Sequence, residues 1–177
     1  MSAILLAGFG GQGILFAGKQ LVLAGMKKDK KVSWLPSYGP EMRGGTCNCS
    51  VNIDDEPIGS PLVTAPDILI AMNKPSLLKF AGRVVPGGTV VYDTSLIDIA
   101  VGRDDVNAYG IPATGLANDA GIAKLANVIL LGYLIKKTGL YEKDFFLEHI
   151  RGSAPKSKPE LGELNAKALL IGYGYEG

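Results

Sequence analysis

The stretch "SAILLAGFGGQGILFAGKQLVLAGM", residues 2 to 26, limits what this chain can fold into more than any other. An apolar run ends in glycine, a glycine-rich turn follows, and Ile14, Leu15, Ala17, Leu21, Val22 and Ala24 then recur at helical spacing. The pattern predicts strand, turn, helix. Gly8, Gly10 and Gly13 of "GFGGQG" satisfy G-x-G-x-x-G in the strand-to-helix setting that the dinucleotide fingerprint requires, with Gly11 and Gln12 between them. Such a turn brings backbone N–H groups to an anion at a helix N-terminus, where the helix dipole favours negative charge. The fingerprint also calls for an acid near the end of the second strand, and "SWLPSYG" has none. Three readings stand for the turn: a dinucleotide site, a packing turn without ligand, and a site for another phosphate ligand or for a partner's close approach.

Downstream the alternation of strand and helix returns. "KKVSWLP" reads as a second strand closed by Pro36, and "DILIAM" and "GTVVYD" as buried strands on either side of "NKPSLLKFAGRVVPG", a helix with proline in its first turn. Residues 46–53 alternate, with Cys47, Cys49, Val51 and Ile53 on one face and Thr46, Asn48, Ser50 and Asn52 on the other, which predicts a half-buried strand. A short strand is expected within "RDDVNAYGIPATG". "AGIAKLANVILLGYLIKK" predicts one long helix from Ala120 to Lys137, apolar on most faces, and "YEKDFFLEHI" and "KPELGELNAKALLIG" predict two more. The whole is expected to be one α/β domain, residues 1–177, a three-layer α/β/α sandwich with a Rossmann-like, mostly parallel or mixed sheet.

Charge excludes one class of function. The chain has 18 basic and 17 acidic residues, and "KKDKK" is broken by Asp29, so the footprint of a nucleic-acid binder is missing. No apolar run reaches the roughly 18 residues of a membrane span, and the N-terminus lacks the basic start of a signal peptide, so a cytoplasmic protein is expected. Hydrophobic residues nevertheless make up 47% and charged residues only 20%, which predicts that a partner covers part of the surface, with the apolar helix from Ile122 to Ile135 as its contact.

The stretch "SYGPEMRGGTCNCSV", residues 37 to 51, is the second unusual feature. With two cysteines and one histidine, His149, the chain cannot supply the four ligands of a structural zinc site. The cysteines are expected to be reduced core residues, and His149 a helix-surface or interface residue. No catalytic residue and no metal ligand is assigned. The chemistry of the stretch lies in "SYGPEMRGG": Ser37, Tyr38 and Glu41 offer polar groups, Arg43 can pair with a phosphate or carboxylate, and Gly44 lets backbone pass close to another surface. A loop leaving the second strand there meets the first glycine turn at the carboxyl edge of the sheet, where open α/β sheets bind ligands.

Taken together, "GFGGQG", "SYGPEMRGGTCNCSV", "PIGSP", "AMNKPSL", "LANVILLGYL" and "ELNAKALLIGY" resemble the gamma subunit of the 2-oxoacid:ferredoxin oxidoreductases over nearly the whole chain. The resemblance implies a subunit of an anaerobic complex that converts a 2-oxoacid and coenzyme A to acyl-CoA and CO2 and reduces ferredoxin, with 2-oxoglutarate favoured and branched-chain 2-oxoacids or pyruvate also in range. It implies alpha and beta companions and often a ferredoxin-like delta subunit. Thiamine diphosphate, magnesium and iron–sulfur clusters then belong to those companions; this chain binds no cofactor alone and is inactive in isolation, and coenzyme A is the co-substrate. Gly10 to Gly13 and Tyr38 to Gly45 carry over as ligand-proximal. A small subunit of an indolepyruvate-type enzyme and a freestanding nucleotide-binding module are the alternatives.

Overall fold

Six strands share one sheet, in the order β2-β3-β1-β4-β5-β6. They are β1 (Ser2–Phe9), β2 (Lys31–Ser37), β3 (Thr46–Asp54), β4 (Ile68–Ala71), β5 (Thr89–Asp93) and β6 (Asn107–Ile111). This is a computed structural model, and it describes residues 1–37 and 46–177. The helices are α1 (Ile14–Lys27), α2 (Lys74–Phe80), α3 (Ala113–Asp119), α4 (Ala126–Thr138), α5 (Lys143–Arg151) and α6 (Glu160–Gly174). Strands β1, β4, β5 and β6 run parallel, while β3 lies antiparallel between β1 and β2. The sheet is therefore mixed, as expected. Pro36 does not close β2 but pairs with Cys49 inside it, which this edge strand tolerates.

Side-chain alternation along the strands divides the core in two. Ile4 and Leu6 of β1, the odd-numbered residues Cys47 to Ile53 of β3, and Ile68 and Ile70 of β4 face α1, α3, α4, α5 and α6. Ala3, Leu5, Ala7, Leu69, Ala71 and Val90 face α2 and the segments around Val63 and Ile97. Three layers result, and α6 adds an outer helix over α4. Ser50 and Asn52 also correct the half-buried reading of β3, because both are buried. The segment after β3 covers them: Asn52 donates to the Pro61 carbonyl at 3.2 Å, and the Val63 N–H donates to Ser50 Oγ at 3.1 Å.

The apolar helix differs from its sequence reading in extent and in role. Gly121, with φ +71°, ends the turn after α3, and regular helix begins only at Ala126. Every residue from Ala126 to Ile135 is buried within the chain itself. One side of α4 meets the sheet and the other meets α6, where a Cβ on Gly132 or Gly172 would overlap the facing helix backbone. The two glycines let the helix backbones touch, so the second apolar face needs no partner subunit. The cysteines are core residues, as expected: both are free and buried, and burial pushes the Cys49 thiol up to about 12. Among the described residues no helix is long and apolar enough to cross a membrane.

Candidate functional site

The glycine turn sits where the chain changes sides of the sheet. From β1 it enters α1 on the crowded face, and from β4 it enters α2 on the other. The carboxyl ends of β1 and β4 are neighbours, so the two departing loops leave a crevice between them, the position at which open α/β sheets bind ligands.

Gln12 organises this crevice. Its Oε1 accepts from the Phe9 N–H at 2.6 Å and from Asn73 Nδ2 at 3.4 Å, and its Nε2 donates to the Met72 carbonyl at 3.1 Å. One side chain thus ties the loop after β1 to the loop after β4. Gly8 makes room for it, since a Cβ there would lie 2.6 Å from Gln12 Oε1. Gly13, at φ +77°, is the N-cap of α1, and its carbonyl accepts from Asn127 Nδ2 at 3.1 Å. A Cβ on Gly13 would overlap that amide. Gly11, at φ +92°, has open space where a Cβ would stand, and Gly10 and Gly11 are exposed.

Helix α1 starts without a side-chain cap and without an acid in its first turn. Its first N–H groups have no intrahelical acceptor, and over 14 residues its dipole presents partial positive charge to the crevice. Helix α4 also starts without a side-chain cap, beside the same turn. The arrangement can receive a phosphate on backbone N–H groups.

Of the residues expected at the site, Gly8, Gly10, Gly11, Gln12 and Gly13 are brought together. Ser37 ends β2 at the same edge of the sheet, two strand positions from β1, about 10 Å away by sheet spacing. Tyr38, Glu41, Arg43 and Gly44 lie outside the described residues; the flanking Thr46 pairs in register with Phe9, so the chain re-enters the sheet beside the glycine turn. Asn73 and Asn127 are added by the structure. Both stood in the motifs "AMNKPSL" and "LANVILLGYL", but a bond to the turn from 114 residues away leaves no local trace in the sequence. The fold also weakens the dinucleotide reading, because β3 occupies the place beside β1 that the second strand takes in the dinucleotide fold.

His149 corrects the helix-surface half of its reading. It is 5% exposed, and burial, with Lys27 second, pushes its imidazole down to about 4. It lies between α5 and α1 rather than on the surface, and at neutral pH it is uncharged.

With this geometry in view, the class of protein follows. The chain belongs to the family described as Pyruvate ferredoxin/flavodoxin oxidoreductase, which it matches over residues 3–175. It is 42% identical over 171 residues to the ketoisovalerate oxidoreductase subunit VorA of Methanothermobacter marburgensis, covering 96% of this chain and 35% of that one. It is 36% identical over 176 residues to the 2-oxoglutarate synthase subunit KorC of Methanocaldococcus jannaschii, covering 98% and 91%. The chain thus spans about a third of the VorA relative and most of the KorC relative. Among solved structures it resembles the gamma subunit of a keto/oxoacid ferredoxin oxidoreductase from Geobacter sulfurreducens, with a TM-score of 0.83, 26% identity and coverage of 98% and 97%. The 2-oxoglutarate:ferredoxin oxidoreductase of Magnetococcus marinus, at 24% identity, shares the fold, with a TM-score of 0.85 over 98% of this chain and 30% of that one.

Proposed function

We propose that the chain is the gamma subunit of a thiamine-diphosphate-dependent 2-oxoacid:ferredoxin oxidoreductase of the cytoplasm. Its domain, residues 1–177, offers the glycine turn and residues 37–44 to the phosphates of coenzyme A. The observation that carries this reading is the uncapped start of α1 at the crevice between β1 and β4, whose two loops Gln12 ties together. Family membership and the subunit names of the relatives support the reaction class.

In this reading alpha and beta companions, with a ferredoxin-like delta subunit, hold thiamine diphosphate, magnesium and the iron–sulfur clusters. The two cysteines of this chain are spent in its core, so cluster thiolates come from the companions. When bound there, thiamine diphosphate supplies the carbanion chemistry. The residues of this chain bind and orient the thiol co-substrate: backbone N–H groups of the turn take a phosphate, Arg43 pairs with it, and the crevice fixes its direction. The substrate favoured by the loop is 2-oxoglutarate. The higher identity to the ketoisovalerate subunit supports a branched-chain 2-oxoacid as the second reading.

The test is the purified complex, assayed for acyl-CoA formation with 2-oxoglutarate, ketoisovalerate and pyruvate. Arg43→Ala should raise the apparent KM for coenzyme A about 10-fold or more, from loss of a charged hydrogen bond of about 1.5–3 kcal/mol, and leave thiamine loading unchanged. An unchanged KM, or equal loss in decarboxylation and in acyl transfer, removes Arg43 from the ligand site.

A further inference from the structure

The outer face of α1 carries a groove that the described chain leaves unfilled. Its volume is about 620 Å³, and Phe16, Leu23 and Met26 form its apolar wall. These positions recur at helical spacing on one face of α1, and Met26 is 56% exposed. On the floor lie Gln20, 4% exposed, and His149. Gln20 Oε1 has no hydrogen-bond partner among the described residues, and the imidazole of His149 has none of good geometry there, beyond a weak contact with the Gln20 backbone. Buried polar groups left in this state are costly, so native proteins retain few of them. A molecule seated in the groove would supply the missing partners.

The groove does not stop there. A second cavity of about 350 Å³ shares Phe16 and Ser153 with it and continues past Lys124 to Gly13 and Asn127. Asn127, 4% exposed, has a further buried acceptor, Oδ1, without a partner. Among the described residues the charged ones lining the two cavities are Lys19, Lys27 and Lys124, with no acid. The nearby Glu148 and Glu163 are engaged by Arg151.

We propose that this trough along α1 seats a segment of the companion subunit, with an apolar side chain on Phe16, Leu23 and Met26 and carboxylates at Lys19, Lys27 and Lys124. The inference rests on the proposed function. Two observations choose this occupant over a second copy of the chain. A two-fold contact through this face would set its lysines against the same lysines, which like-charge repulsion disfavours. In the VorA relative the matching region is 35% of the chain, so that protein carries it covalently joined to further sequence, which a face such as this one can receive. A companion seated here also walls one side of the glycine turn, which ties assembly to the ligand site.

The test uses the chain co-expressed with its alpha and beta companions, and the isolated chain as a folding control. Lys19→Glu with Lys27→Glu, both exposed, should keep the Tm of the isolated chain within a few degrees and weaken its association with the companions at least 10-fold. His149→Phe removes the poorly partnered imidazole, so it should leave the isolated chain as stable or more so and still weaken association. Leu78→Glu, on α2 across the sheet, should change nothing in assembly. Undiminished association of the double variant, or equal loss with Leu78→Glu, overturns the proposal alone. An isolated wild-type dimer that the double variant splits, with companion binding intact, assigns the trough to a second copy. A wild-type chain that associates with no companion overturns the proposed function, and this inference with it.

Discussion

Two loops at the same edge of the sheet solve the same problem in opposite ways. After β5, backbone donors converge and the protein fills their centre itself: the buried Asp93 carboxylate accepts from the Ser95 N–H at 3.0 Å, the Thr114 N–H at 3.1 Å and Thr114 Oγ1 at 2.5 Å. After β1 stands the uncapped start of a helix twice as long as α3, and no carboxylate of the described chain enters. The side chain that does enter, Gln12, is neutral and turns back to the Met72 carbonyl. An internal anion makes the first loop a structural joint. Its absence in the second leaves a place for an external one.

If this contrast is right, substitutions at the two loops have separable consequences. The largest effect is expected for Asp93→Ala, which removes the buried acceptor of three partly buried hydrogen bonds and should cost about 3 kcal/mol of stability by thermal or urea unfolding. Coenzyme A affinity of the surviving folded protein should change little. A stable Asp93→Ala protein that has lost coenzyme A affinity would move the site to the β5 loop.

Gln12→Glu sharpens the other side. The variant keeps the acceptor for Phe9 but loses the donor to Met72 and brings negative charge to the crevice, so about 1–2 kcal/mol of stability should go with a 10-fold or larger loss of phosphate affinity. Gln12→Ala should loosen the turn with a smaller loss, because no like charge opposes the ligand. Isothermal titration of coenzyme A into both variants reads the difference, and equal losses would mean that the crevice carries no anion.

The smallest effect on folding is expected at Gly11. At φ +92° with open space around it, Gly11→Ala should cost about 1 kcal/mol of backbone strain, and the new methyl stands where a ligand must approach. Gly102→Ala, at φ +70° and equally unobstructed, should cost a similar amount of stability and nothing in affinity. Matching affinities in the two variants would reduce Gly11 to a conformational requirement.

The same contrast marks what the sequence could tell. Strand β1, the glycine turn and α1 were legible because each is written in contiguous residues: an apolar run, glycines at fixed spacing, a helical period. Alternation in "TCNCSVNI" placed Cys47 and Cys49 in the core, yet it could not report that a later segment buries Ser50 and Asn52 from the other side. The apolar surface of α4 was equally plain, and its reading failed on a partner: α6, far along the same chain, does what a second subunit was expected to do. Asn73 caps α2 and Asp93 accepts from Ser95, bonds that neighbouring residues can signal, but the bonds of Asn73, Asp93 and Asn127 to distant turns and the burial of His149 against α1 carry no local signature. The placement of β3 between β1 and β2 is likewise a property of pairing rather than of any one strand.

The central claim, that the open turn after β1 and not the closed loop after β5 receives the phosphates, can be read amide by amide. Titrating coenzyme A into the isotope-labelled chain and following its backbone N–H resonances should move Gly10, Gly11, Gln12, Gly13 and Ile14 in a saturable way while Ser95 and Thr114 stay in place. Saturable shifts at Ser95 and Thr114 with the glycine turn unmoved would contradict the account.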